Sequence, residues 1–266
     1  MTQFTWDPED YERHSAQQER WARELVAKLQ LAGDETVLDI GCGDGKVTAE
    51  IASQVPRGRV LGIDSSADMV RRAGELHPPV HPNLRFEVGD ASQLEFDSEF
   101  SVVFSNAALH WVHDQRPVLR GIARSLRGEG RVLVQMGGKG NAADVVAVLD
   151  EVTALPRWRE YFAGFVFPYG FYDPGEYRPW LVEASLRPTR VELVPKDMVH
   201  AGREGLAGWL RTTWMPYLER VPAEMRPELV EDVLDAYLAR NPLDEGGNAH
   251  VRMVRLEVEA VKTGAV

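Results

Sequence analysis

The sequence has few of the residues that mark a secreted, membrane-spanning or metal-binding protein. It has a single cysteine, Cys42, in 266 residues, which excludes an internal disulfide and favours a reducing, cytoplasmic location. No apolar run approaches the roughly 18 residues of a transmembrane helix, and the polar, acidic N-terminal segment lacks the apolar stretch of a signal peptide. No cluster of His and Cys has zinc-ligand spacing, so neither a membrane association nor a bound metal is expected.

The chain also lacks an excess of basic residues. Its 30 Lys and Arg residues are outnumbered by 41 Asp and Glu residues, which gives a net charge of -11 at pH 7. Binding to a nucleic-acid backbone needs clustered Lys and Arg, so no nucleic-acid partner is expected. With 44% hydrophobic residues, the chain is long enough for one large domain or a domain with a lid. Its oligomeric state is left open between monomer and homodimer.

The most informative segment is residues 36–46, with the sequence TVLDIGCGDGK. A short apolar strand pattern, interrupted by Asp39, leads into a turn with Gly41, Gly43 and Gly45, and a helical pattern follows at once. Strand, glycine turn and helix in this order form a nucleotide-cofactor pocket in a parallel α/β sheet. The glycines let a ligand approach the backbone without a Cβ in the way, and the helix N-terminus suits an anionic group.

The glycine spacing indicates which cofactor this turn would take. The dinucleotide fingerprint G-x-G-x-x-G places its third glycine five residues after the first, whereas Gly45 comes four residues after Gly41. Asp39 also stands just before the turn, where the pyrophosphate of a dinucleotide would meet a carboxylate of like charge. A cofactor with an ammonium and a sulfonium would be attracted to the same carboxylate. An NAD-dependent dehydrogenase is therefore a disfavoured alternative.

Polar residues follow three further strand patterns, at the point where each predicted strand ends. These strands are predicted over residues 59–64, 84–88 and 100–104. The carboxyl ends of parallel strands meet at one edge of an open α/β sheet, which is where such sheets bind ligands. An acid at Asp64 can accept hydrogen bonds from both hydroxyls of a ribose. The residues that this edge is predicted to bring together are Asp64, Ser65, Met69, Gly89, Asp90, Ala91, Asn106 and Ala107.

Strand and helix patterns alternate from an N-terminal amphipathic helix, over residues 9–30, to about residue 136. This alternation predicts an α/β fold with a doubly wound, mostly parallel sheet. After residue 138 the sequence becomes richer in aromatic residues, prolines and helical patterns. Two strand-like runs return at residues 190–194 and 251–258, and both suit an antiparallel hairpin that ends the sheet.

Several of these segments resemble one family of enzymes. Residues 39–45 resemble the D-x-G-x-G-x-G loop of class I S-adenosylmethionine-dependent methyltransferases. Residues 6–11 (WDPEDY), 106–111 (NAALHW) and 134–136 (VQM), together with the C-terminal lid, resemble the trans-aconitate methyltransferase-like group, and juvenile hormone acid methyltransferases share parts of this pattern. The resemblance spans nearly the whole chain and is loosest over residues 139–240.

The resemblance implies a Rossmann-like methyltransferase fold, with a seven-stranded, mostly parallel sheet, an antiparallel C-terminal hairpin and a helical lid. Residues 1–266 are then expected to form a single methyltransferase domain. Its parts are an N-terminal helical cap over residues 1–33, a cofactor-binding core over 34–140, helical lid insertions over 141–240 with one strand near 190–194, and a final strand over 250–262.

The resemblance also implies that S-adenosylmethionine is the cofactor. In the resembled fold the acid at Asp90 accepts a hydrogen bond from the adenine amino group, and Tyr11 is expected to close over the cofactor. Cys42 is interpreted as a small residue beside the cofactor and not as a nucleophile. The predicted cofactor-binding residues are Tyr11, Asp39, Gly41, Cys42, Gly43, Asp64, Ser65, Met69, Gly89, Asp90, Ala91, Asn106 and Ala107.

The methyl acceptor is predicted to be a small molecule that carries a carboxylate, because members of this group commonly methylate carboxylates. A carboxylate is already ionised at neutral pH and needs no general base, only donors that aim one oxygen at the methyl group. An indole N–H and a side-chain amide suit that task, and carboxylate-methylating relatives use a Trp and a Gln. The matching residues here are Trp111 and Gln18, with Gln17 as the less favoured choice.

Aromatic residues of the second half are expected to line the substrate pocket, namely Tyr169, Tyr172 and Trp214. Their abundance relative to candidate anion clamps, Arg178 and Arg211, favours a mixed or apolar acid over a tricarboxylate. Two alternatives stay open. One is O-, N- or C-methylation of another small metabolite, with His110 as the general base. The other is a binding-only protein, which would keep the cofactor pocket without the chemistry.

Overall fold

The computed structural model of the protein describes residues 16–263, with side chains described from residue 20 onward. These residues divide into two compact units. The core unit comprises residues 19–139, 169–194 and 255–263, and the helical unit comprises residues 16–18, 140–168 and 195–254. In chain order the elements are α1 (Ala16–Lys28), β1 (Thr36–Ile40), α2 (Lys46–Gln54), β2 (Arg59–Asp64), α3 (Ala67–Leu76), β3 (Leu84–Val88), β4 (Phe100–Asn106), α4 (Gln115–Ser125), β5 (Leu126–Gly137), α5 (Ala143–Thr153), α6 (Pro174–Glu183), β6 (Leu186–His200), α7 (Gly202–Thr213), α8 (Met215–Leu218), α9 (Arg226–Arg240) and β7 (Ala249–Lys262).

The strands form one seven-stranded sheet in the order β3-β2-β1-β4-β5-β7-β6. Strands β1 to β5 pair in parallel, and β7 pairs antiparallel with β5. This arrangement confirms the predicted α/β class, the mostly parallel sheet and the antiparallel C-terminal hairpin. The chain crosses from β1 outward to β3 and then returns to the other side of β1 at β4, so the polar ends of β1 and β4 are neighbours.

Strand β6 is longer than the run predicted at residues 190–194, since it extends over Leu186–His200. Pro188 and Pro195 lie within it, and in a sequence they indicate breaks because proline cannot donate to a strand ladder. The two prolines are tolerated because β6 lies at the end of the strand order. An edge strand leaves one row of N–H groups without a neighbouring strand, so a missing N–H costs no ladder hydrogen bond there.

Each side of the sheet in the core unit has its own apolar cluster, because alternate residues of a strand point to opposite faces. On one side Val37 and Phe104 pack with residues of α1 and α2. On the other side Leu38 and Val103 pack with residues of α4 and α6. The helix residues of the first cluster are Leu25, Val26, Ala49, Ile51 and Ala52, and those of the second include Val118, Leu119, Ile122, Tyr177 and Leu181.

The helical unit is built around buried aromatic side chains. Trp158 is fully buried, and its indole N–H donates to Asp232 Oδ2 over 2.8 Å. Trp214 lies with its ring centroid 5.9 Å from that of Trp209 and 5.9 Å from that of Tyr217. Edge-to-face contacts of this kind add to the burial of large apolar surfaces. Among residues 16–263, no helix is long and apolar enough to cross a membrane.

Phe104 tests the contribution of the sheet core to stability. Its side chain has no exposed surface, so we expect Phe104→Ala to leave a cavity and to lower the free energy of unfolding by about 3–5 kcal/mol. Val182→Ala is the matched control, because Val182 is 64% exposed and its truncation should change stability by no more than about 0.5 kcal/mol. Urea unfolding measures both, and equal losses would contradict the assigned core.

Candidate functional site

The glycine turn between β1 and α2 is held to the end of β2 by backbone hydrogen bonds. The N–H groups of Gly41 and Cys42 both donate to the Ile63 carbonyl, over 2.8 and 3.0 Å. Gly41 and Gly43 have φ values of +77° and +55°, in the left-handed region that glycine adopts readily. The turn therefore has the glycine-dependent backbone that its sequence predicts.

Two of these glycines have different surroundings. A Cβ added to Gly41 would lie 2.1 Å from the Cβ of Ala108, which follows β4, so the loops after β1 and β4 touch at this point. Apart from its chain neighbours, a Cβ added to Gly43 would have no atom of the described residues within 4 Å. Gly41 is thus needed for packing, whereas Gly43 leaves open space on the backbone, as a ligand cradle requires.

Asp64, at the end of β2, connects the glycine turn to α3. Its Oδ2 accepts from the Gly43 N–H and its Oδ1 from the Ser66 N–H, each over 2.9 Å. Burial raises the pKa of Asp64, and the backbone N–H groups of Ser66, Gly43 and Ser65 oppose that rise. A carboxylate has about four lone-pair sites, so Asp64 retains capacity for a further donor, such as a ligand hydroxyl, while it holds the turn.

Asp39 is buried beneath the turn, with 2% of its surface exposed. Thr48 Oγ1 donates to its Oδ2 over 2.6 Å. Burial raises the pKa of Asp39 to about 7; the Thr48 hydrogen bond opposes this rise and the charge of Asp64 adds to it. A cation placed near this pair of carboxylates would favour their ionised forms.

The remaining predicted residues of this edge lie beside the same strand ends. The Gly89 N–H donates to the Asp64 carbonyl over 3.0 Å, which joins the loops after β2 and β3. Asp90 caps a short 3-10 helix, Ala91–Gln93, by accepting from the Ser92 N–H over 2.8 Å. The Met69 N–H donates to Ser66 Oγ, the cap of α3. These residues are brought together, as the strand-end argument predicts.

Cys42 lies in the turn with 8% of its surface exposed. Burial raises the pKa of its thiol, and the nearby charges of Asp39 and Asp64 raise it further. A thiol with a raised pKa holds almost no thiolate at neutral pH and is a poor nucleophile. This environment supports its interpretation as a small packing residue.

At the end of β4, Asn106 and Ala107 lead into the loop that touches Gly41. The Ala107 N–H donates to the Gln135 carbonyl over 2.7 Å, and Ala107 itself has a φ of +56°. Asn106 Oδ1 is buried and accepts no hydrogen bond from any residue in the structure. A buried, unsatisfied carbonyl oxygen is costly, so this atom marks a place where a ligand donor would fit.

Next to this loop, an aromatic cluster surrounds His110 and Trp111, which lie on a 3-10 helix, Leu109–Trp111. The ring centroids of Trp111 and Tyr169 are 4.8 Å apart in an edge-to-face arrangement. His110 lies 5.8 Å from Tyr169 and 6.0 Å from Phe171. The cluster thus places an indole, with aromatic rings packed around it, next to the loop that follows β4.

The electrostatic state of His110 follows from these surroundings. Desolvation lowers the pKa of His110 to about 3, and the positive charge of Arg255 lowers it as well. The Gly137 N–H donates to Nδ1 over 3.4 Å, which assigns the proton of the neutral ring to Nε2. His110 is therefore neutral at physiological pH and a weak proton acceptor.

The other predicted substrate residues have different described contacts or lie outside the described part of the chain. Tyr172 packs on Trp180, with centroids 4.9 Å apart, and its hydroxyl donates to the His113 carbonyl. Trp214 belongs to the core of the helical unit. Tyr11 lies outside the described residues, and only the helical backbone of residues 17 and 18 (Gln17, Gln18) is described. Their assigned roles stay predictions. Of the two candidate anion clamps, Arg178 donates from Nη2 to the Val191 carbonyl over 2.7 Å. Arg211 Nη2 lies 3.6 Å from Glu204 Oε1.

The sequence reasoning missed a buried polar pair, Gln135 on β5 and Glu257 on β7. Gln135 Nε2 donates to Glu257 Oε1 over 2.8 Å. Both residues interrupt apolar strand patterns, and that interruption is the signal that could have identified them. Among residues 16–263, no group of three or more His, Cys, Asp or Glu side chains is arranged to hold a metal ion.

Comparisons with known proteins show which proteins this chain is similar to. The family model described as a methyltransferase domain matches residues 37–130. An uncharacterised methyltransferase of Schizosaccharomyces pombe is 32% identical, over 92% of this chain and 94% of its own length. A trans-aconitate 2-methyltransferase of Deinococcus radiodurans is 32% identical, over 82% of this chain and 84% of its own. A crystal structure of a methyltransferase from Bacillus halodurans C-125 matches with a TM-score of 0.64 at 20% identity, covering 91% and 99% of the two chains.

The fold, the glycine turn and these similarities define a class I S-adenosylmethionine-dependent methyltransferase, and the chain belongs to that family, in the trans-aconitate methyltransferase-like group. It is accordingly an enzyme of the transferase class.

The two glycines with different surroundings provide a matched pair of variants. Gly41→Ala combines an unfavourable φ, which costs about 1–2 kcal/mol, with the overlap on Ala108. We expect it to lower the free energy of unfolding by more than about 3 kcal/mol. Gly43→Ala has only the φ cost and should lose about 1–2 kcal/mol. Urea unfolding without ligand measures both, and a reversed order would contradict the loop contact.

Asp39 predicts a specific pH dependence of stability. Its folded-state pKa of about 7 lies above its ordinary value of 3.8, so its contribution is full below that ordinary value and is lost as the pH rises through 7. We expect Asp39→Asn to gain stability relative to the wild type from pH 4 to pH 7, by up to about 1.4 kcal/mol per pH unit. Urea unfolding of both proteins between pH 4 and pH 8 measures this, and parallel curves would contradict it.

Proposed function

We propose that this methyltransferase transfers the methyl group of S-adenosylmethionine to a carboxylate oxygen of a small organic acid. The observation that carries the proposal is the neutral, weakly basic state of His110 beside Trp111. A site that must remove a proton from a hydroxyl or an amine needs a base with a pKa near the working pH. A carboxylate acceptor needs none, because it is ionised already.

The relatives support the same acceptor class. Several similar proteins carry the name trans-aconitate 2-methyltransferase, among them those of Deinococcus radiodurans and of Azoarcus, at 32% and 31% identity. Trans-aconitate is a small polycarboxylate. We take the acceptor class, a small carboxylic acid, from these names and leave the individual acid open.

The cofactor site fits S-adenosylmethionine by its donor and acceptor chemistry. Asp64 has free acceptor capacity for the ribose hydroxyls, Asn106 Oδ1 has capacity for an N–H donor, and Gly43 leaves open space over the backbone. The carboxylates of Asp39 and Asp64 favour a cationic ligand. When bound, the cofactor supplies an electrophilic methyl group, so the chemistry needs no activation by the protein.

The task of the chain is then to orient the acceptor and to exclude water. In this proposal the indole N–H of Trp111 would hold one carboxylate oxygen and orient the other in line with the methyl group, whose bond to sulfur would break as its bond to that oxygen forms. Tyr169 and Phe171 stack with their planes 4° apart and their centroids 5.4 Å apart. Such a rigid aromatic wall limits the orientations of the acceptor and keeps water from the reacting atoms.

The decisive experiment follows labelled methyl transfer from S-adenosylmethionine to a panel of small acids, phenols and amines. Label that is released as methanol under mild base identifies a carboxyl ester and supports the proposal. Label that stays on a phenol or an amine contradicts it and favours His110 as a base. Absence of transfer with intact cofactor binding favours a binding-only protein.

Trp111→Phe tests the acceptor-holding residue. Phenylalanine keeps an aromatic ring against Tyr169 but removes the N–H group, and a hydrogen bond to a charged group is worth about 1.5–3 kcal/mol. We expect kcat/KM for the acid to fall by about 10- to 100-fold, with unchanged cofactor affinity by calorimetry. Trp180→Phe, outside this cluster, is the matched control. Equal losses in both variants would assign Trp111 a structural role.

A further inference from the structure

Two amide side chains, those of the partly buried Asn106 and the buried Gln135, lie side by side at the ligand edge of the sheet. Asn106 on β4 and Gln135 on β5 are register partners, so their side chains point to the same face, from strands about 4.8 Å apart. Asn106 Oδ1 and Gln135 Oε1 are both buried, and neither accepts a hydrogen bond from any residue in the structure. Gln135 itself is 2% exposed. Two neighbouring acceptors without donors are a costly arrangement unless a ligand supplies the donors.

The orientation of the Gln135 amide is fixed by chemistry. Its neighbour Glu257 lies 2.8 Å away and, as a carboxylate, only accepts hydrogen bonds. The amide therefore turns its NH₂ group to Glu257, and its oxygen must point away from that carboxylate. The negative charge of Glu257 also polarises the amide and strengthens its oxygen as an acceptor.

Glu257 is held in its ionised form by two cations. Its Oε2 lies 2.5 Å from Lys28 Nζ on α1 and 2.7 Å from Arg190 Nη1 on β6. Burial by itself would raise the pKa of Glu257, but the hydrogen bonds from Lys28 and Arg190 lower it below its usual range. Glu257 thus acts as a positioning residue, which fixes the orientation of the Gln135 amide.

The location of the amide pair narrows the choice of ligand group. In the register between β1 and β4, Asp39 is opposite Phe104, so Asn106, two residues further along, lies beside the start of the glycine turn. An acceptor carboxylate would be repelled by two amide oxygens. An ammonium has three donors and a positive charge, and it is the group that two polarised neutral oxygens bind best.

We propose that Asn106 Oδ1 and Gln135 Oε1 together bind the ammonium of the methionine part of the cofactor, with Glu257 positioning Gln135. This inference rests on the cofactor use in the proposed function and is independent of the acceptor. It makes Gln135 a cofactor-binding residue on β5, in addition to the residues of the glycine turn and of the loops after β2, β3 and β4.

The test compares two ligands that differ by one group, S-adenosylhomocysteine and its analogue without the α-amino group. Gln135→Met keeps the side-chain length and removes the amide oxygen. We expect its affinity for S-adenosylhomocysteine to fall by about 10- to 100-fold, as for loss of a charged hydrogen bond, and its affinity for the deaminated analogue to stay unchanged. Asn106→Leu, which does not touch Glu257, should show the same selective loss. Isothermal titration calorimetry measures all four affinities.

Lys28→Met is the control, because it perturbs Glu257 without removing an amide oxygen, and it should keep the preference for the amino group. Equal losses for both ligands in Gln135→Met and Asn106→Leu would show a structural role and overturn the inference, as would unchanged affinities. The titrations contain no methyl acceptor. Their result therefore does not depend on whether the true acceptor is a carboxylate. A wild-type protein that binds neither ligand would overturn the cofactor assignment itself.

Discussion

The hydrogen bonds between the glycine turn and the end of β2 are the contacts on which the rest of the site depends. Three consecutive N–H groups, of Gly41, Cys42 and Gly43, donate to the Ile63 carbonyl and the Asp64 carboxylate. They hold the turn in a left-handed backbone conformation, which lets Ala108 approach Gly41 and leaves open space over Gly43. Asp64 consequently both shapes the turn and offers acceptors to a ligand, so its two roles cannot be separated by removing the carboxylate alone.

The two ends of the site have different charge preferences, and this difference suits methyl transfer from a cation. Burial raises the pKa of both Asp39 and Asp64 at the glycine end, and a cationic ligand would favour their ionised forms. At the aromatic end, His110 is kept neutral by desolvation and by Arg255. The site therefore favours positive charge where the cofactor is expected and has no effective base where the acceptor is expected. An acceptor that is already ionised fits this distribution.

A row of polar residues crosses the sheet from β4 to β7. Asn106, Gln135 and Glu257 are register neighbours on β4, β5 and β7, and Lys28 and Arg190 neutralise the buried carboxylate. A fully buried acid is stable only when its charge is compensated and hydrogen-bonded. The row thus connects α1 and the edge strand β6 to the end of β4, where predicted ligand-binding residues lie.

Much of the fold and part of the site were predictable because their signals are local. The α/β class was predictable from the strand–glycine–helix pattern at residues 36–46, and the ligand edge from the polar residues at strand ends. Both patterns depend on residues that are adjacent in sequence. The full length of β6 was not predictable, because its prolines indicate breaks and only an edge position makes them acceptable. The sequence around His110 did not predict that this residue is neutral, because its neutrality arises from residues far apart in the chain.

The sequence by itself therefore determined the family, the glycine turn after β1 and the identity of the acids around it. Tertiary structure alone decided that Gln135 lies beside Asn106 and is held by Glu257, 122 residues further along the chain. It also decided that desolvation, together with the charge of Arg255, lowers the pKa of His110. The physical reason is that strand pairing and burial set the protonation and orientation of these groups, and both depend on neighbours that no local pattern specifies.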